Sequence, residues 1–256
     1  MLIAEIHQAL SNSGIHKGDT LMIHADSVVS AQLKNIDKNE KLYVFINEII
    51  NFIGPEGTLI IPTFTYSFTK SEIYDVSNTI SKVGLFSEYF RKKYSSSRTN
   101  HPIFSVVAIG KNKDIFLSAS LTDCFGDNTV FDYLIKLNAK IMALGCDINR
   151  ITFLHHIEQK YGVKYRYFKY FKGTLVDQYG IKKILTIRYF VGNLQIKYNL
   201  KLDNLKEELI RNNLIKVIPF GRFAGYTVNS RELFQIASEM LRINEYSLIE
   251  EDCEKI

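Results

Sequence analysis

In the run ALGCDINRITFLHHIEQKYG, residues 143–162, His155 and Glu158 stand three positions apart. On a helix that spacing puts both side chains on one face, close enough for the carboxylate to orient the imidazole. Imidazole titrates near about 6.5, and a carboxylate partner raises and positions it, which suits a general base. Thr152, one turn earlier, can cap the helix or donate a hydrogen bond. Two other chemistries compete for the segment. His155, His156 and Glu158 could recruit a metal, although adjacent side chains on a helix diverge by about 100° and the HExxH spacing is missing. Cys146 could act as a thiolate nucleophile beside His155, or be a small buried hydrophobe at a strand end. A His–Glu pair at this spacing also occurs as surface decoration.

The run RTNHPIFSVVAIG, residues 98–110, holds a second histidine of interest. His101-Pro102 forces extended backbone before a strand, and His101 reads as a hydrogen-bonded structural residue. There is no Walker loop, no GxGxxG and no GxSxG, so the commonest nucleotide and hydrolase signatures are excluded.

Net charge is only +5, from 32 basic and 27 acidic residues, but it is unevenly spread. Residues 151–200 carry Lys160, Lys164, Arg166, Lys169, Lys172, Lys182, Lys183, Arg188 and Lys197 against Glu158 and Asp177. That window sums to +7 and the remainder to −2. Such a field suits an anionic ligand, or it is a solvated, lysine-rich face.

The elements that must position these groups follow from apolar spacing. Residues 1–13 predict a helix, followed by a strand over 20–26. Residues 38–53 place Leu42, Phe45, Ile46 and Ile49 on one helical face, and a second short strand begins at Thr58 and ends near Pro62. A third helix spans 83–93, buried strands cover 104–110 and 140–145, and a helix opens near Thr152. This alternation predicts an α/β fold whose mixed, mainly parallel central sheet is flanked by helices. From about residue 163 to 220, aromatic and β-branched runs predict an antiparallel, β-rich excursion within one domain, 1–256. A last helix is expected over 228–243, capped by Asn229 or Ser230. With 256 residues, 46% apolar and 23% charged, the chain is an ordinary globular one, not a disordered one. Cys124, Cys146 and Cys253 form no CxxC, which excludes a zinc ribbon and a disulfide framework. Glu5 interrupts the apolar start and no run nears the ~20 residues of a membrane span, so a cytoplasmic protein without a membrane partner is expected.

Four segments in order carry a resemblance. GDTLMIHAD (18–26), GPEGTLIIPTFTYSF (54–68), RTNHPIFSVVAIG (98–110) and LGCDINRITFLHHIE (144–158) together resemble the aminoglycoside 3-N-acetyltransferase family. The likeness runs from about Gly18 to Arg166. The family's T-x-L-H-x-x-E is met by Thr152, Leu154, His155 and Glu158, which implies that His155 and Glu158 are the catalytic pair, joined by Thr152. The resemblance further implies acetyl-CoA as the only cofactor, with no metal. His24, Ala25, Asp26 and Ser27, together with Arg98, Thr99 and Ser105, would border the CoA arm. Two departures stand out. The family's V/I-H-S-S is Ile23-His24-Ala25-Asp26 here, placing a carboxylate where a serine is usual. Its G-x-x-S-P is Gly126-Asp127-Asn128-Thr129-Val130, where Asn128 or Thr129 could replace the serine.

The acceptor is expected to be a small-molecule amine. Polycationic aminoglycosides need an acidic surface, whereas the segment after the pair is basic. That favours an anionic amino sugar of surface-polysaccharide assembly, nucleotide-linked or acidic, held by Lys164, Arg166, Asp26 and His101, with an antibiotic-modifying enzyme as the alternative. Tyr165, Tyr167, Phe168, Tyr170 and Phe171 could stack on a sugar or base, or be strand core. A nucleic-acid-binding module using the same face is a remote alternative, and no nucleic-acid partner is expected. A homodimer is compatible with such a chain.

Overall fold

The computed structural model describes residues 1–196 and 198–251. Lys197 and Cys253 lie outside the described residues. Six strands form the central sheet: β1 (Thr20–Ala25), β2 (Thr58–Pro62), β4 (Val106–Gly110), β5 (Lys140–Leu144), β9 (Ile215–Phe220) and β10 (Phe223–Asn229), in the order β4-β2-β1-β5-β10-β9. The three central strands β2, β1 and β5 run parallel, while β4, β10 and β9 join antiparallel at the flanks. The expected mixed α/β sheet is therefore present, with its parallel part confined to the middle.

Alternation along these strands builds two cores, one on each face. Leu21, Ile23, Leu59, Ile61 and Met142 pack with α1 (Ile3–Asn12), α3 (Lys41–Ile53) and α4 (Leu85–Lys93). Met22, Ile60, Ile141, Ala143 and Val228 face the other way, with α6 (Val130–Lys136), α7 (Leu154–Tyr161), α8 (Asp203–Arg211) and α9 (Ser230–Ile243). Apolar side chains on both faces explain why these strands read as continuous hydrophobic runs. Two short helices, α2 (Val28–Ala31) and α5 (Lys113–Leu117), follow β1 and β4.

The β-rich excursion resolves into several pieces. β6 (Arg166–Val176) and β7 (Lys182–Gly192) form an 11-residue antiparallel hairpin, extended by β3 (Tyr74–Asp75) parallel to β6. β8 (Tyr198–Leu200) pairs with β11 (Ile249–Glu251), and β9 leaves the excursion to join the central sheet. α8 was not foreseen there: Leu205 and Leu209, one turn apart, bury a helical stripe inside a stretch dominated by β-forming neighbours. Asn229 caps α9 by accepting from the Arg231 amide, as anticipated.

The sheet opens where the parallel strands end. β1 and β2 pair only as far as Met22 and Ile60. β1 continues along β5 to Ala25 and Leu144, and β2 along β4 to Pro62 and Val106. The two strands therefore part over their last residues, where Pro62 has no N–H to leave unpaired. A cleft at the carboxyl ends of parallel strands is where α/β sheets commonly hold ligands.

Three imidazoles are buried within this frame. Burial pushes His24, His101 and His156 each down to about 4. A histidine kept neutral by folding stabilises the fold above about 6.5, its unfolded value, and that contribution is lost as pH falls toward 4. The loss is on the order of 3 kcal/mol per imidazole. Thermal melts should accordingly show Tm steady from pH 8.5 to 7 and falling steeply between pH 6.5 and 4.5. A Tm unchanged down to pH 5 would show that these side chains are not held neutral.

Candidate active site

Gly145 starts the site's architecture. Its φ of +68° turns the chain out of β5 against α2, where a Cβ would lie 2.6 Å from Val29 Cγ1. The loop then runs through Cys146 and Asp147 to a turn at 151–153, and α7 begins at Leu154 rather than Thr152. Thr152 is not the helix cap. Its carbonyl accepts the His155 amide at 3.0 Å, and the residue lines the wall of the cleft. α7 ends at Gly162, whose φ of 80° reverses the chain and brings Tyr165 and Arg166 back beside the helix.

His155 and Glu158 meet as their spacing predicts, with Nδ1 2.7 Å from Glu158 Oε2. Glu158 has no exposed side-chain surface, whereas 21% of the His155 side chain is exposed. Tyr165 Oη donates to Glu158 Oε1 at 2.9 Å. Arg166 Nε lies 2.9 Å from Oε2, but its hydrogen is not aligned on the oxygen, so charge rather than a directed hydrogen bond joins them. Arg166 Nη2 is also 2.9 Å from His155 Nδ1. Arginine only donates, so Nδ1 cannot be a donor to Glu158 and an acceptor from Arg166 at once. The ionised carboxylate at the shorter distance is the stronger partner. Nδ1 therefore carries the hydrogen, leaving the Nε2 lone pair free. Burial would raise the Glu158 pKa, but His155, Arg166 and Tyr165 outweigh it and hold the carboxyl below its usual range. Burial and the Arg166 guanidinium together lower His155 despite the pull of Glu158.

His156 takes no part. It is fully buried, and its Nδ1 donates to the Phe125 carbonyl at 2.6 Å. The Phe125 ring in turn packs against His155 with centroids 5.5 Å apart. Asp123 holds that loop in place, accepting from the Phe125 and Gly126 amides, Gln159 Nε2 and Arg188 Nε. Among the described residues no group of three or more His, Cys, Asp or Glu could hold a metal ion.

A cleft of about 820 Å³ lies between the parted strands. His24, Ala25, Asp26 and Ser27 form one lip and Pro62, Phe64 and Tyr66 another, with Lys82, Cys146, Arg150 and Thr152 around it. His24 Nε2 is buried without a partner, and Asp26 Oδ1 accepts the Val28 amide at 2.9 Å. Burial raises the Cys146 thiol, which sits 3.4 Å from the His24 carbonyl, so the thiolate needed for nucleophilic attack is disfavoured.

The other sequence candidates fall elsewhere. Arg98, 3% exposed, gives its guanidinium to the carbonyls of Thr63, Val76 and Thr79 and to Ser105 Oγ. Ser105 Oγ donates to the Thr63 carbonyl, and Thr99 Oγ1 accepts the Val106 amide. These three tie loops together and offer no free group to a cofactor. His101 Nδ1 accepts the Ile103 and Phe104 amides and Nε2 contacts the Asp123 carbonyl, so the structural reading describes it and the substrate-binding one does not. Arg166 belongs to the dyad, not to an open acceptor surface, and Lys164 is an exposed partner of Glu245 at 3.2 Å. Thr129 caps α6 by accepting the Asp132 amide. The links from Glu158 to Tyr165 and Arg166 escaped the sequence reading because separations of seven and eight residues become neighbours only after the turn at Gly162.

The family model described as aminoglycoside 3-N-acetyltransferase matches residues 28–242. Aminoglycoside N(3)-acetyltransferase III of Salmonella sp. is 23% identical over 173 residues, 60% of this chain and 58% of the relative's length. The chain thus matches little more than half of that relative. Among solved structures, AAC-IIIb in binary complex with CoASH aligns with a TM-score of 0.78 at 17% identity, over 95% of this chain and 97% of the other. AAC-VIa bound to sisomicin gives 0.78 at 15% identity, over 95% and 98%. These likenesses show the fold.

A structural Arg98 makes a distinct prediction. Lysine cannot span its four acceptors, so Arg98→Lys should cost about 3 kcal/mol and lower Tm by roughly 5–10 °C. Calorimetry of the variant checks this; an unchanged Tm with weakened acetyl-CoA binding would instead return Arg98 to the ligand.

Proposed function

The chain belongs to the aminoglycoside 3-N-acetyltransferase family, and from that premise we propose that it transfers the acetyl group of acetyl-CoA to the amine of an aminoglycoside-type sugar. The observation that carries the proposal is the dyad: a partly exposed imidazole whose Nδ1–H is fixed on a fully buried carboxylate. Acetyl-CoA supplies an acyl thioester. Exposed Lys82 and Arg150 at the rim of the cleft would supply positive charge for its phosphates.

A sugar amine is largely protonated at neutral pH and is no nucleophile in that form. His155 Nε2 takes a proton from the amine as the amine nitrogen bonds to the thioester carbonyl carbon, and the imidazolium returns a proton to the CoA sulfur as the C–S bond breaks. Glu158 stabilises that imidazolium while holding the ring's orientation, as carboxylates do for histidine bases on other folds. Tyr165 holds the second oxygen of Glu158, so the carboxylate cannot swing away from the ring.

Tertiary pairing changes the acceptor argument. Lys160 pairs with Asp127, Lys164 with Glu245, Arg166 with Glu158, Lys183 with Asp177 and Arg188 with Asp123. Three of these acids, Asp127, Glu245 and Asp123, come from outside the window and reduce its +7 to +4, while Glu158 and Asp177 were already counted within it. This weakens the charge argument for an anionic amino sugar, or nucleic acid, and the family match favours an aminoglycoside-type acceptor. Tyr165 is buried and Phe171 half-buried, leaving Tyr167, Phe168 and Tyr170 as the exposed aromatics of β6.

Thiol release from acetyl-CoA against a panel of amines tests the proposal. Aminoglycosides should be acetylated more efficiently than nucleotide-linked amino sugars, and the reverse preference would restore the polysaccharide reading. His155→Ala should lower kcat by about 10²–10⁴-fold, and it should also lower Tm because the buried Glu158 Oε2 loses a hydrogen bond. His156→Ala should lose about 1–3 kcal/mol of stability because it leaves the Phe125 carbonyl unpaired, with a much smaller effect on kcat. An inactive but stable His156→Ala enzyme would show that the two histidines have exchanged roles.

A further inference from the structure

The buried group around Glu158 has a charge balance that decides the state of His155. Its charged members are Glu158 on α7 and Arg166 at the start of β6, whose side chain is 7% exposed. Tyr165 hydrogen-bonds the carboxylate, while Tyr189 on β7 and Tyr198 on β8 both sense Glu158 and Arg166. Burial raises all three phenols, so they stay uncharged. With Glu158 ionised and Arg166 protonated, the group is neutral when His155 is neutral. Without the guanidinium, neutrality would require His155 or Glu158 to take a proton. A buried site strongly favours the arrangement with no uncompensated charge.

We propose that Arg166 is a positioning residue of the dyad, keeping His155 unprotonated and its Nε2 lone pair free by balancing the charge of Glu158. The inference rests on His155 being the base of the proposed reaction. Glu158 alone would draw a proton onto the imidazole and leave the resting enzyme without its base. Arg166, 2.9 Å from both partners, offsets that attraction while leaving Glu158 ionised to stabilise the imidazolium when it forms. The Arg166 Nη1 donates to the Phe190 carbonyl at 3.1 Å, so the hairpin root fixes the guanidinium in place. A purely structural arginine would use only this last contact.

The test is an NMR titration of histidine-labelled protein without substrate, with the His155 signal identified by its absence in His155→Asn. Arg166→Gln should move the His155 midpoint to higher pH, whereas Arg166→Lys, which keeps the charge, should leave it near the wild-type value. Should Arg166→Gln fail to fold, the Glu158→Gln/Arg166→Gln protein contains no unpaired buried charge and serves instead. Its His155 midpoint should lie above that of Glu158→Gln alone. The acid limb of kcat against pH should follow the same order, with Arg166→Lys losing up to about 10²-fold in kcat through altered geometry. A His155 midpoint indifferent to the Arg166 charge in both backgrounds would overturn the inference and leave Arg166 as an anchor of the hairpin. Because the titration needs no turnover, its result stands even if no amine in the panel is acetylated, an outcome that would fail only the proposed reaction.

Discussion

A carboxylate without any exposed surface has to be compensated, and the arrangement around Glu158 is built to do so. Removing such a charge from water costs several kcal/mol unless opposite charge and hydrogen bonds replace the solvent. His155, Arg166 and Tyr165 supply that replacement from three directions. They come from α7, from the turn that follows it and from the first residue of β6, so α7 must stop at Gly162 and β6 must begin beside it. The long hairpin is thereby rooted at the dyad, and its strand β7 returns the Phe190 carbonyl to Arg166.

The same economy appears on the far side of α7. Asp123 gathers two backbone amides, Gln159 and Arg188, and so fixes the loop that carries Phe125. Phe125 then touches both histidines in different ways, giving its carbonyl to His156 and packing its ring, tilted by 58°, against His155. One histidine is locked into the core while its neighbour remains reachable from solvent. The divergence of consecutive side chains around a helix makes this division of labour possible.

The cleft has a different origin, in the sheet itself. β1 and β2 part company because each is held on its outer side, by β5 and β4, for longer than they hold each other. Ligand space thus arises at the ends of rigid strands. His24 and Thr152 border it from opposite sequence regions, and Asp26 places there the carboxylate that departs from the usual serine.

The sequence by itself determined most of the elements and the one-face pairing of His155 with Glu158, though not α8. Apolar periodicity located the buried strands because both faces of the central sheet are covered, and His155 and Glu158 were legible because helical spacing is local geometry. His101 carried both a structural and a substrate-binding reading in the sequence, and only its buried contacts to the Ile103 and Phe104 amides and the Asp123 carbonyl decided for the first. Tertiary structure decided whatever depends on residues remote in the chain. The basic window is less charged in the fold than along the chain, because Asp127, Glu245 and Asp123, which lie outside it, pair with three of its cations. Arg98 and Arg166 read as ligand contacts until burial showed their guanidinium groups already engaged by the protein. Charges act through distance in space, and a linear sequence records only distance along the chain.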